Sequence, residues 1–149
     1  MKLVQESLII EKDKLELSAG LVIIQDNKIL LVHPTNSSWY GTFSIPKGHV
    51  EKNEDILDAA IRETKEETGI EINKKDIYSK EDNFIDYTDK KGNLYKRVYY
   101  YLTYPSYEIS KEHMNLQQEE VDWCGFLTKE KAKKRIFWRF KELLNYLDY

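Results

Sequence analysis

The sequence predicts an α/β fold with a mixed sheet packed between helices, and three observations carry that expectation. Five or six segments rich in Leu, Val, Ile and Tyr are separated by turn residues. Two amphipathic stretches have helical spacing, one stopped by Gly69 and one running from Thr128 to Leu147. No internal repeat, low-complexity tract or linker interrupts the 149 residues, so one domain over 1–149 is expected. Two amphipathic helices and this many strands bury their apolar faces best with the sheet between the helices.

In chain order, residues 15–24 form an apolar run, Asp26-Asn27 a turn, and residues 28–33 a second run, which together predict a hairpin. Residues 34–40 are polar and turn-prone, ending in Trp39-Tyr40-Gly41, and residues 42–45 read as a short extended piece. After the first helix, residues 70–72 read as a brief strand. Residues 77–87 and 94–104 are the arms of a second hairpin, turned at residues 89–93. Pro105 ends that arm, residues 106–118 are a polar connection, and residues 121–127 are the last strand. Thr128 then caps a helix expected to reach Leu147, with a break near Phe137.

Composition narrows the function. A net charge of −3 leaves no basic surface for duplex nucleic acid, and no apolar run approaches the roughly twenty residues of a membrane span. The first residues are charged early and lack an apolar signal core, and the single Cys124 excludes an intrachain disulfide, so a cytoplasmic protein is expected. His33, His49 and His113 are not spaced as a metal set.

The charge is concentrated on the first helix. Between Glu54 and Glu67 stand six acids, Glu54, Asp55, Asp58, Glu63, Glu66 and Glu67, against two bases, Arg62 and Lys65. At about 100° per residue, Ile56, Leu57, Ala60, Ile61 and Thr64 share the side that must pack on a core. Glu63, Glu66 and Glu67, at i, i+3 and i+4, converge at its rim. Such a cluster could be a solvated helix face. Like charges crowded in a half-buried groove instead favour a divalent cation with oxygen ligands, magnesium or manganese. Gly48 is expected to take an unusual backbone angle that turns its carbonyl toward an ion, Gly69 to stop the helix, and Arg62 to hold carboxylates through its planar fork.

Gly48, five residues, Glu54, seven residues, Arg62-Glu63, two residues, Glu66-Glu67, one residue, Gly69 and then Ile70 resemble the Nudix box. Thr64 stands where the family usually has an aliphatic residue. The resemblance implies an α/β/α sandwich with a mixed sheet and a loop-helix-loop catalytic motif at residues 48–70. It implies hydrolysis of a phosphoanhydride in a nucleoside diphosphate-linked compound. It also implies that Gly48, Glu63, Glu66 and Glu67 hold magnesium or manganese, with Arg62 in the catalytic set and Glu63 or Glu67 as general base. A further carboxylate is sought before the last strand, among Glu112, Glu119 and Glu120.

Substrate residues lie outside the box. Residues 46–51, Pro-Lys-Gly-His-Val-Glu, resemble the run in diadenosine polyphosphate and diphosphoinositol polyphosphate hydrolases. Net acidity without a dense basic pocket favours a dinucleoside polyphosphate. Lys47 is then a candidate for an extra phosphate, His49, near the chemistry, for substrate contact, and Trp39, Tyr40, Tyr99 and Tyr101 for a base. Residues such as Trp39, Tyr40 and Phe43 are more often core or loop packing than a base-stacking platform. Tyr99 and Tyr101 share one strand face, opposite Tyr100. The alternatives are a nucleoside triphosphate pyrophosphohydrolase, an ADP-sugar hydrolase, a prenyl diphosphate isomerase, or a non-catalytic nucleotide-sensing module. The expected partner is a small nucleotide, and the protein a monomer or homodimer.

Overall fold

The computed structural model describes residues 15–79 and 83–148. Among these residues six strands, β1 (Glu16–Gln25), β2 (Lys28–Pro34), β3 (Lys47–His49), β4 (Asn83–Thr88), β5 (Leu94–Thr103) and β6 (Val121–Leu127), form one sheet with the spatial order β4-β5-β1-β2-β6 and β3 beside β1. The β1/β5 pair is parallel and the others are antiparallel, so the sheet is mixed as expected. β1 is shared along one edge. Ile24 and Gln25 pair with β2, whereas Ser18, Ala19 and Gly20 pair with β3.

Helix α1 (Ile56–Thr68) covers one face and helix α2 (Lys129–Arg135) the other, followed by a 3-10 helix at Trp138–Tyr146. Alternation along β1 divides the core. Ala19, Leu21 and Ile23 face α1, and Val22 and Ile24 face the C-terminal helices. β5 follows suit, with Tyr99 and Tyr101 toward α1 and Val98, Tyr100 and Leu102 opposite. Ala59, Ala60, Thr64 and Thr68 are the buried residues of α1, small enough to bring its axis close to the sheet. The Thr64 hydroxyl donates to the Ala60 carbonyl at 2.8 Å, so the polar group at this usually aliphatic position is satisfied.

Several expected boundaries differ. Residues 42–45 make only isolated bridges, Val32 to Ser44 and Phe43 to Ile136, and the pairing strand is β3. Residues 70–72 form no ladder, although Ile70 and Ile72 are buried. Ile77 makes one bridge, to Thr103, and β4 begins at Asn83; residues 80–82 lie outside the described residues. Thr128 caps α2 by accepting from the Lys131 N–H at 3.3 Å. The break near Phe137 is present: the Arg135 carbonyl and the Phe137 N–H both bond Phe43, which a continuous helix would forbid. Among the described residues no helix is long and apolar enough to cross a membrane.

Candidate functional site

α1 begins at Asp55, whose carboxylate accepts from the Asp58 N–H at 3.2 Å, and ends at Gly69, which adopts φ 83° and donates its N–H to the Lys65 carbonyl. Two further last-turn carbonyls are met from outside the helix. Asn115 N–H bonds the Thr68 carbonyl at 2.7 Å and Gln117 N–H the Glu67 carbonyl at 2.9 Å. The segment before β6 is thereby fastened to the acidic end of α1.

Arg62 is the hub of the cluster. Its guanidinium grips Glu54 in a two-pronged bond, Nε to Oε2 at 2.7 Å and an η nitrogen to Oε1 at 2.9 Å. It also donates to Glu63 at 2.9 Å, Glu66 at 3.0 Å and the His49 carbonyl at 3.0 Å. All of these are charge-assisted or carbonyl bonds along one planar fork. The bonds to Glu54 hold that carboxylate below its usual range and raise the guanidinium further. Glu54 in turn accepts from the Glu51 N–H, bracing the loop between β3 and α1.

Glu63, its side chain 17% exposed, lies against Gly48. Burial raises its carboxyl above the usual range, with Arg62 opposing. Glu66 is 52% exposed at the side chain. Glu67 sits deeper. Burial pushes its carboxyl up to about 7 against the pull of the Lys47 ammonium and backbone N–H, and Glu63 and Glu120 push in the same direction as burial. The negative field of Glu67 adds to burial in raising the Cys124 thiol to about 12, so that thiol is inert at neutral pH.

Gly48 corrects an expectation. Its φ is not positive; it is an ordinary strand residue paired with Ala19. A side chain is excluded there by space, because a Cβ would stand 2.0 Å from Glu63 Oε2. Among the described residues no three acid, His or Cys side chains already converge on a single ion position, since Arg62 lies among Glu54, Glu63 and Glu66. The donor chemistry nevertheless fits a hard divalent cation. Glu63 and Glu67 are half-buried carboxylates whose desolvation is not fully compensated, and Glu66 flanks them on the same helix.

The other expected residues divide. Lys47 joins the cluster, its ammonium lowered by burial and then by Lys96, and held up by Glu67, Glu16 and Glu120. His49 is exposed, with Nε2 3.4 Å from Glu16. Trp39 is 45% exposed and stacks on His33, and Tyr40 is exposed beneath the Arg135 guanidinium at 4.5 Å. Phe43 is core. Tyr99 is half-buried and packs edge-on against Phe84. Tyr101 does not fit its expected role: it is 4% exposed within the core beneath α1 and offers no ring face to a base. Glu120 contributes to the electrostatic environment of Glu67 and Lys47; Glu112, Glu119 and Glu120 are all exposed.

Glu16 and Lys96 escaped sequence reasoning. Glu16 lies 3.5 Å from Lys96 Nζ as well as beside His49. The register that joins them pairs Glu16 with Lys96 and Ser18 with His49. Neither residue belongs to a local motif, so only strand pairing reveals them.

The fold extends to solved structures. That of a C. elegans Ap4A hydrolase in a binary complex aligns with TM-score 0.68 at 28% identity, covering 88% of this chain and 93% of that one. A Burkholderia pseudomallei MutT NUDIX hydrolase aligns with TM-score 0.56 at 21% identity, over 77% and 84% of the two chains, a likeness of fold. In sequence, an ADP-ribose pyrophosphatase of Methanocaldococcus jannaschii is 47% identical over 49 residues, a stretch covering 33% of this chain and 29% of that relative. A sheet of this order with the acid-bearing helix on one face is a Nudix-type α/β/α sandwich. The profile of the NUDIX domain matches residues 14–147, and the chain belongs to the Nudix hydrolase family.

Proposed function

We propose that this enzyme hydrolyses a phosphoanhydride bond in a dinucleoside polyphosphate such as diadenosine tetraphosphate. The observation that supports it most is the Arg62-centred carboxylate cluster lying against a side-chain-free strand residue, with the Lys47 ammonium beside Glu67. Glu63, Glu66, Glu67 and the Gly48 carbonyl are the proposed holders of magnesium or manganese, and Glu120 the added carboxylate. Such ions, when bound, neutralise phosphate oxygens and acidify water.

The chain's own residues do the rest. Arg62 keeps Glu63 and Glu66 in fixed rotamers, so little reorganisation is needed during reaction. Glu67, whose carboxyl titrates at about 7, or Glu63 takes the proton from the attacking water. Lys47 and Lys96 meet phosphate oxygens, and the outer face of Trp39 takes a base. The length and identity of the C. elegans Ap4A hydrolase match favour this substrate class. The M. jannaschii relative favours ADP-ribose as the second reading.

Incubation with magnesium and diadenosine tetraphosphate, ADP-ribose, a diphosphoinositol polyphosphate or the common NTPs and dNTPs, with products resolved by anion exchange, tests both. AMP plus ATP from diadenosine tetraphosphate is expected. AMP plus ribose 5-phosphate from ADP-ribose alone selects the second reading, and NMP plus pyrophosphate from single nucleotides refutes both.

A further inference from the structure

His33 lies outside the acidic cluster, yet it is 1% exposed and fully engaged. Its Nδ1 is 2.5 Å from Asp122 Oδ1, and its Nε2 is 3.1 Å from the Ser37 carbonyl and 3.0 Å from the Ser38 carbonyl. The nearby Ser37 hydroxyl already donates to the Pro34 carbonyl. Both ring nitrogens therefore face oxygen atoms of neighbouring segments. The imidazole also stacks flat on Trp39, with ring centroids 3.6 Å apart and planes 5° from parallel.

This contact depends on an irregularity in the sheet. β2 pairs with β6 in steady register from Ile29 with Leu127 to His33 with Trp123, but Pro34 then pairs with Val121, skipping Asp122. Pro34 has no N–H with which to continue the ladder, and the extra residue makes a bulge. Burial records the slip: Val121 turns into the core beneath α1, whereas Trp123 packs on the opposite core. Asp122 is the residue released, and it meets His33. Thr35 secures the same junction, its N–H bonding the Glu120 carbonyl at 3.0 Å and its hydroxyl the Gln118 carbonyl at 2.7 Å.

We propose that His33 is a positioning residue for substrate recognition: bridging Asp122 and the carbonyls of Ser37 and Ser38, it fixes the 35–42 loop and backs the inner face of Trp39, leaving the outer face for a nucleotide base. The proposal rests on the nucleotide reading above, but not on which nucleotide is cleaved. A tryptophan stacked on one side and open on the other is a rigid platform, so little ordering remains to oppose binding.

The test compares wild type, His33→Gln, Asp122→Asn, Trp39→Ala and the double variant H33Q/W39A. The Trp39 indole N–H resonance is assigned by its absence in Trp39→Phe. ADP, a fragment common to the candidate nucleotides, is the probe. In wild type ADP shifts the Trp39 signal. His33→Gln and Asp122→Asn move that signal in the free protein and weaken ADP by at least fivefold, and H33Q/W39A binds ADP no more weakly than Trp39→Ala. With whichever nucleotide is hydrolysed, His33→Gln raises KM about tenfold and leaves kcat within about twofold. A Trp39 signal unmoved by either variant, or by ADP in wild type, overturns the proposal. So does additive weakening in H33Q/W39A, the mark of a role unconnected with Trp39. Failure to cleave diadenosine tetraphosphate refutes the substrate assignment alone, because the ADP measurements need no turnover.

Discussion

The carboxylate of Glu63 fills the space that a side chain at residue 48 would need: a Cβ there would stand 2.0 Å from Oε2 and 2.1 Å from Cδ. The carboxylate can swing aside only by giving up the bond that Arg62 donates to its other oxygen at 2.9 Å. Gly48→Ala is therefore expected to cost about 1 kcal/mol of stability, as a flexible side chain yields, while kcat falls at least about 100-fold as Glu63 leaves its position. Urea unfolding and steady-state kinetics in magnesium check the pair. A variant with wild-type kcat would show that the placement of Glu63 is irrelevant to turnover.

Arg62 bonds Glu54, Glu63, Glu66 and the His49 carbonyl with one planar fork, a set of directions that an ammonium cannot reproduce. Arg62→Lys keeps the charge and should still cost about 2 kcal/mol, since several part-buried acceptors lose their donors. Activity falls with it, and added salt recovers little, because the lost feature is geometry. A stability within experimental error of wild type would mean that charge alone suffices.

Glu67 gives the protein a pH dependence of defined sign. Its carboxyl titrates at about 7 in the folded chain against an ordinary 4.5, chiefly because it is buried. Between those values the folded state holds a proton that the unfolded state has released, so metal-free stability falls as pH rises through about 7. Manganese must displace the same proton, and its affinity climbs over the same range. Titration calorimetry at pH 6 and pH 8, with urea unfolding of the metal-free protein, measures both. Glu67→Gln should flatten both trends and remove most turnover; an unchanged rate in that variant would refute its place in the metal set.

Gly69 ends α1 at φ 83°, and a Cβ there would meet the Asn115 backbone nitrogen at 2.5 Å. Gly69→Ala should destabilise by about 1–2 kcal/mol through the left-handed conformation and the clash. It should also loosen the bonds from Asn115 and Gln117 that fasten the segment before β6 to the helix end. Hydrogen exchange at those two amides is the readout, and protection equal to wild type would show that the segment is held otherwise.

The acidic helix was legible because its information is local. Glu63, Glu66 and Glu67 share a side through the 3.6-residue repeat, Gly69 caps through its own backbone angle, and Arg62 lies within about one turn of Glu63 and Glu66. The hairpin of β1 and β2, the last strand and the break near Phe137 were legible for the same reason: periodicity and turn chemistry act over a few residues. The constraint on Gly48 is not legible locally, because the neighbour that forbids its side chain lies fifteen residues away on another element.

What the sequence by itself determined, then, is the class of chemistry and the alternation that buries each strand. Tertiary structure decided the company each residue keeps. Parallel pairing with β1 carries β5 into the sheet interior, which buries Tyr101 beneath α1 and removes it from the candidate platforms. The same pairing sets Glu16 beside Lys96, and the bulge opposite Pro34 turns Asp122 onto His33. These relationships join residues dozens of positions apart through strand register, and register follows from packing the whole sheet at once, which no local pattern encodes.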